Sequence, residues 1–539
     1  MKGIMIDCSR NAVMTPEAIK RFVNIISALG YDTLMLYTED TYEVDGEPLF
    51  GYQRGRYSKD ELRDVDNYCF QNNVELVPCI QTLAHLNSIF KWSDEYEKIR
   101  DYDDILLVDD ERTYQLIDRM FSSLASCLRS RRIHIGMDEA YMVGLGKYLE
   151  KHGFKKRFDI INRHLHKVCA IAEKYGFSPM IWSDMFCKLA TQSGDYYGNI
   201  DIEKIRQQAD LPQNITLVYW DYYSTDYDRY EKMIKGNREF NRPIIFAGGA
   251  WTWKGFSPDN SFSMSTTKLA FKACNNNSVK DIFLTAWGDD GGECSRFAIL
   301  PALTYAACNL KNDIETVKEE FKKITNMNFD DFMLLDKLDK PSEKLDGSPS
   351  KYLLYNDPNV LKSYTNHSLP LKASLYVHSP IHYLQGLNSY YKNLMEQLKT
   401  VKPSNDYKPM FDFYISLCDA LSIKSELGIQ TRMAYESNDK KRLLFIAENN
   451  YSTVITKIEK CYTDYRKLWF YENKPYGFEI QDIRFGGLIK RIASCKDRLI
   501  EYCNGNCDTI PELEEKPYNH NRGTTWARIV TAGVISHIV

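Results

Sequence analysis

The sequence predicts an α/β fold, a (β/α)8 TIM barrel followed by a mainly α-helical C-terminal domain. Three observations lead there. Eight short apolar runs recur along the first 310 or so of 539 residues. Helical periods fill the gaps between them. Past a polar stretch at 336–350 the strand-like runs stop and long helical periods take over. The expected layout is therefore a barrel over 1–335, a linker over 336–350 and a helical domain over 351–539.

The runs are 3–8, 33–38, 74–80, 132–137, 178–183, 215–220, 243–248 and 281–287. They lack strict alternation, as expected of strands buried on both faces of a parallel sheet. The first helix is predicted from Thr15-Pro16, a capping residue followed by proline at the first helical position. Ile19, Phe22, Ile26 and Leu29 share one of its faces, and Gly30 ends it. The second opens on Ser58 and Glu61, a capping box. Further helices are expected near 112–128, 158–175, 202–209, 227–239, 265–276 and 295–309. Strand–helix units in series favour a closed barrel over a doubly wound open sheet. The linker is rich in Pro, Gly and Ser. Beyond it, helices are expected near 383–399, 408–436, 440–472 and 484–503, and the apolar 527–539 as a docking segment, strand pair or subunit contact.

A hydrophobic content of 44% with 26% charged residues fits a globular protein, and a net charge of −4 argues against a nucleic-acid partner. No run approaches the roughly 18 apolar residues of a membrane helix. The 14 cysteines have no repeating spacing, and Cys503 and Cys507 lack the second half of a zinc site. Without an apolar leader, these thiols imply a cytoplasmic protein. His164 and His166 lie two apart on a helix and face different ways, so no metal is expected there.

A barrel of this kind carries its site at the C-terminal ends of its strands. The residues there are Arg10, Glu39 and Asp40, Gln81 and His85, Asp138 and Glu139, Trp182 and Asp184, Trp220 to Tyr222, Trp251 and Trp253, then Trp287, Asp289 and Asp290. Tryptophan gathers at these ends, where ring faces can pack on sugar C–H faces. Asp138 and Glu139 are adjacent carboxylates at a strand end. Held close, two such groups repel, which raises one pKa and makes a candidate proton donor. Capping of the next helix is the alternative for such a pair, and an ion pair with Asp40 is the alternative for Arg10.

The segment His134-Ile-Gly-Met-Asp138-Glu139 closely resembles the H-x-G-x-D-E signature of family 20 glycoside hydrolases, the β-N-acetylhexosaminidases. The likeness runs through residues 1–310 in order. It implies Asp138 and Glu139 as the catalytic pair and Arg10 on the sugar 3- and 4-hydroxyls. It implies His85 beside the substrate, and Trp182, Trp220 and Trp287 as the pocket walls. Trp251 is a further wall or an aglycone platform, and Asp289 meets the 4- and 6-hydroxyls. The barrel-first layout resembles the bacterial cytoplasmic exo-hexosaminidases. Met137 stands where glycine is common, Asp289 where glutamate is usual, and no tyrosine follows the seventh strand. Tyr222 is the substitute expected on the acetamido oxygen, with Tyr219 and Tyr223 as rivals.

The resemblance implies a retaining exo-enzyme that uses the sugar's own acetamido group as nucleophile, the family's exception to the carboxylate nucleophile. Its partner is a glycan with terminal β-linked N-acetylhexosamine, and no cofactor is implied. A homodimer built partly by the helical region is expected. The competing readings are a non-catalytic glycan-binding barrel, which would be expected to lose Glu139, and an O-linked N-acetylglucosaminidase, which would carry two aspartates.

Overall fold

The computed structural model describes residues 1–191, 196, 201–308, 313–342, 345, 347–359 and 386–515. The expected terminal segment 527–539 lies outside them. Eight parallel strands close in chain order: β1 (Lys2–Asp7), β2 (Thr33–Tyr37), β3 (Glu75–Cys79), β4 (Arg132–His134), β5 (Ser178–Trp182), β6 (Thr216–Trp220), β7 (Ile244–Gly249) and β8 (Ile282–Ala286). Closure is explicit, because β1 pairs with β2 at Gly3–Thr33 and with β8 at Lys2–Ile282.

Alternation along the strands fills the interior with Met5, Met35, Tyr37, Val77, Cys79, Met180, Trp182, Val218, Ile245, Ala247 and Phe283. This interior is less aliphatic than such barrels usually are. Trp182, expected as a pocket wall, is 1% exposed and roofs the interior cluster. The outer helices follow the sequence signals. Thr15 caps Pro16–Ala28 by accepting from Ala18 N–H, and Ile19, Phe22 and Ile26 are buried beneath it. Ser58 and Glu61 form both bonds of the capping box, 3.1 and 2.8 Å long.

The chain divides into two compact units. The first holds 1–251, 261–288 and 302–320, and the second holds 252–260, 289–301 and the described residues from 321 on. The division departs from the expected one at 335. Segments after β7 and β8 belong to the helical unit because they are bonded inside it. Ser257 Oγ donates to the Leu335 carbonyl at 2.8 Å, and Asn260 Nδ2 to Asp336 at 3.0 Å. Tyr414 hydroxyl donates to the Phe256 carbonyl at 2.7 Å. In the expected linker, Asp336, Leu338 and Ser348 are buried, so its polar composition serves internal bonds of this unit.

The second unit is built on helices Leu387–Thr400, Lys408–Glu436, Ser452–Glu472 and Phe478–Cys503. The helix expected over 440–472 is interrupted by a π-helical turn, Ile446–Tyr451. There the Asn449 amide bonds the Phe445 carbonyl and competes with the regular ladder. All 14 cysteines are free thiols. Among the described residues, no helix is long and apolar enough to cross a membrane.

Candidate active site

The site is organised by the turn that ends β4. Gly136, Met137 and Glu139 have φ of 70°, 70° and 54°, the left-handed region that side chains resist. Glycine is needed at 136, since a Cβ there would sit 2.1 Å from Gln81 Oε1. The turn is fastened from two sides. His134 Nδ1 accepts the Gly136 N–H at 3.1 Å, and Gln81 Oε1 accepts the Met137 N–H at 3.1 Å. Burial holds the His134 pKa down at about 3, so its ring is neutral and able to accept.

Asp138 is buried with both oxygens engaged. Gln81 Nε2 donates to Oδ1 at 2.7 Å and also to the Tyr37 hydroxyl at 2.9 Å. His85 Nε2 lies 3.2 Å from Asp138 Oδ2 and 3.7 Å from Glu139 Oε2. His85 is itself fixed by its backbone N–H, which donates to Asp104 at 2.9 Å. Burial opposes charge on both partners. The His85 cation and the Gln81 amide nevertheless hold the Asp138 pKa below its ordinary value. Burial likewise opposes the imidazolium, yet Asp138 carries His85 up to about 10. Asp184 is driven upward, to about 8, by burial and then by the charge of Asp138.

Glu139 stands more open, its side chain 45% exposed. The Tyr141 hydroxyl donates to its Oε1 at 3.2 Å. Arg10 does not pair with Asp40, which Arg54 occupies at 3.3 Å. Arg10 lies 3.1 Å from Asp7 and 3.3 Å from Glu39, with Tyr37 and Trp287 rings 5.0 and 5.3 Å from its guanidinium. Asp7 Oδ2 also accepts the Gly288 N–H at 2.8 Å, which ties β1 to the end of β8.

The aromatics gather as expected, with distinct positions. Trp182 is a floor, 4.3 Å from the His134 ring and 6.1 Å from Trp287. Trp220 and Trp287 are partly open above it. Tyr222 stacks on Trp220 at 5.1 Å, and its hydroxyl reaches Trp287 and Thr285. Trp251 is 3% exposed, and its indole N–H donates to the Tyr222 carbonyl at 3.0 Å, a supporting position. Of the rival tyrosines, Tyr219 is buried and donates to Asp221 at 3.1 Å, whereas Tyr223 is 51% exposed. Asp289 is exposed and belongs to the second compact unit. His164 is buried between the Tyr114 hydroxyl and the Thr82 carbonyl, and His166 meets Asp210 at 3.1 Å, so the two serve separate contacts.

Gln81, Glu39 and Asp184 were visible at strand ends, but nothing in linear order ranked them. The signal that could have found Asp7 and Tyr37 is strand parity, since each lies two residues beyond inward-facing Met5 and Met35.

The His85–Asp138 pair makes a definite prediction. His85 should titrate near pH 10, and Asp138→Asn should lower its pKa markedly, because burial and Arg10 then face only the weaker support of Glu39 and the other nearby carboxylates. The stability this pair adds is full between the ordinary values of 3.8 for the carboxyl and 6.5 for the imidazole; it is lost as pH rises through about 10, and also as pH falls through the lowered Asp138 pKa. Imidazole NMR titration of both forms checks this; a wild-type His85 titrating near 6.5 would contradict it.

Two family models match the chain. The glycosyl hydrolase family 20 catalytic domain matches residues 1–237, and the glycoside hydrolase 20C C-terminal domain matches residues 330–529. A human protein named hexosaminidase D is 22% identical over 238 residues, 42% of this chain and 46% of that one. Its Bos taurus namesake is 20% identical over 286 residues, 49% of this chain and 77% of that one. Among solved structures, a GH20 exo-β-N-acetylglucosaminidase from Vibrio harveyi has a TM-score of 0.45 at 14% identity, covering 62% of this chain and 58% of that one. A Flavobacterium johnsoniae chitobiase has a TM-score of 0.46 at 14% identity, covering 87% and 77%. The chain thus spans about half the length of the human relative. The chain is similar to glycoside hydrolase family 20 over two separate stretches, matched by its catalytic-domain and 20C C-terminal models.

Proposed function

We propose that this chain is a retaining exo-β-N-acetylhexosaminidase of the cytoplasm that removes terminal β-linked GlcNAc, and GalNAc, from glycans by substrate-assisted catalysis. The observation that carries the reading is the contrast between two neighbouring carboxylates. Asp138 is buried and kept charged by Gln81 and His85, whereas Glu139 is open to the solvent side. A fixed buried anion suits orientation and charge stabilisation. A reachable carboxyl suits proton transfer.

In the proposed reaction the 2-acetamido oxygen attacks C1, and the C1–oxygen bond to the leaving group breaks with its electron pair. Glu139 protonates that oxygen. Asp138 accepts the acetamido N–H and stabilises the positive charge of the oxazolinium ion. Water then attacks C1, Glu139 takes its proton, and the acetamido group is restored with β configuration at C1. Arg10 holds the 3- and 4-hydroxyls, Trp182, Trp220 and Trp287 enclose the methyl, and Tyr222 donates to the acetamido oxygen. His85 keeps Asp138 anionic throughout. Asp289 is assigned to the 4- and 6-hydroxyls on the likeness alone. A non-catalytic glycan-binding barrel has less support, because its site would not need a second, solvent-facing carboxylate held by Tyr141.

Glu139→Gln should lower turnover of an alkyl β-N-acetylglucosaminide by roughly 10²–10⁴-fold, and much less for an aryl leaving group. Equal losses on both would remove Glu139 from the acid role. A matched β-glucoside should be hydrolysed negligibly by the wild type, and comparable rates on both sugars would sink the reading. We also propose a homodimer built partly by the helical region, whose length exceeds what a barrel needs for its own closure. Light scattering at micromolar concentration should give twice the chain mass; a monomer would reject it.

A further inference from the structure

The β4 turn has one anchor that lies outside β3 and β4. Asp184 opens the helix Asp184–Ala190 directly after β5 and is 1% exposed. Its Oδ2 accepts the Glu139 backbone N–H at 3.1 Å. The Trp220 indole N–H, from the end of β6, reaches the same carboxyl. On the other side of Glu139, its carbonyl accepts the Tyr141 N–H at 2.6 Å. A buried N–H needs an acceptor, and at φ 54° Glu139 has left the strand ladder that would supply one.

A carboxyl is a costly way to satisfy one N–H. Burial and the facing Asp138 and Glu139 oppose its charge, with Tyr141 beyond the turn and Cys187 on its own helix also nearby. Nor is the carboxyl spent on capping, since Ser183 is the N-cap of that helix. What a buried acceptor meeting both the Glu139 N–H and the Trp220 indole gains is a fixed relation between two elements that the reaction uses together.

We propose that Asp184 is a positioning residue for proton transfer, fixing the backbone of Glu139 and the Trp220 ring from one buried anchor. The inference rests on the hydrolase reading of Glu139 given above. Asp184 touches no reacting atom. Its effect is on where the Glu139 carboxyl points when the leaving oxygen needs a proton. Asparagine keeps the acceptor oxygen and should serve; alanine removes it. Since burial already holds the Asp184 carboxyl up near 8, its negative charge is not what the turn requires at neutral pH.

The test compares wild type, Asp184→Asn and Asp184→Ala as full-length chains on methyl and 4-nitrophenyl β-N-acetylglucosaminides, with thermal melts as a folding control. Asp184→Ala should lower kcat on the methyl glycoside by about 10²-fold, the cost of a misplacement near 1 Å, with little change in KM and a smaller loss on the aryl glycoside. Asp184→Asn should recover most of the lost kcat. Should Asp184→Ala not fold, Asp184→Ser, with its acceptor drawn back, carries the same comparison. Equal losses on the two substrates, or an Asn variant as impaired as Ala, would overturn the inference while leaving the hydrolase reading intact. A wild type inactive on both substrates would instead strike the hydrolase reading, and the inference with it.

Discussion

Two adjacent carboxylates sit in a backbone turn that ordinary side chains resist, and the surrounding residues hold that turn in place. Met137 and Glu139 each take a left-handed conformation that costs about 1–2 kcal/mol for a residue with a Cβ. The turn persists because the N–H groups of Gly136, Met137 and Glu139 are claimed, by His134, Gln81 and Asp184. Each such bond contributes roughly 1 kcal/mol, and leaving one buried donor unpaired would cost more. Strain of this kind gathers at functional sites, and here it sends Asp138 inward while leaving Glu139 toward solvent.

The electrostatics follow from that geometry. Asp138, Glu139 and Asp184 are brought together by the ends of β4 and β5, and His85 is the imidazole that meets the first two. The His85 cation lies nearest Asp138, so Asp138 keeps its charge. Asp184 lacks such a partner and is the group that burial and repulsion push upward. Repulsion from Asp138 thus acts on a carboxyl that a different strand brings to it, Asp184 after β5.

The barrel was legible because its strands are buried on both faces and end at turn residues. Every predicted run matches a strand within three residues at each end. The largest difference is at β4, read to 137 and ending at 134 because the chain leaves the sheet at Gly136. The second unit was legible as helical but not in its limits, since 252–260 and 289–301 join it through bonds no linear pattern announces. In the site, Asp138 and Glu139 are proposed from their signature, and Arg10, His85, Trp182, Trp220, Tyr222 and Trp287 from the same likeness read along the strand ends. Gln81 and Asp184 gained their roles only from contacts across strands, and Tyr141 from the turn that brings its hydroxyl onto Glu139. Trp182 illustrates the limit: linear order puts it at the end of β5, but whether it is wall or floor depends on how fully the ring is buried.

Holding Asp138 charged in a buried place is useful chiefly if positive charge develops beside it during the reaction, as it does in an oxazolinium ion. Complementarity to that species, rather than to the ground-state sugar, is what should distinguish the site. The direct measurement is the inhibition constant of a GlcNAc-thiazoline, a neutral bicyclic mimic that becomes more oxazolinium-like on protonation, for wild type and Asp138→Asn. The wild type should bind it far more tightly than free GlcNAc, and Asp138→Asn should lose most of that preference. A thiazoline bound no better than GlcNAc, or equally well by both forms, would contradict the account.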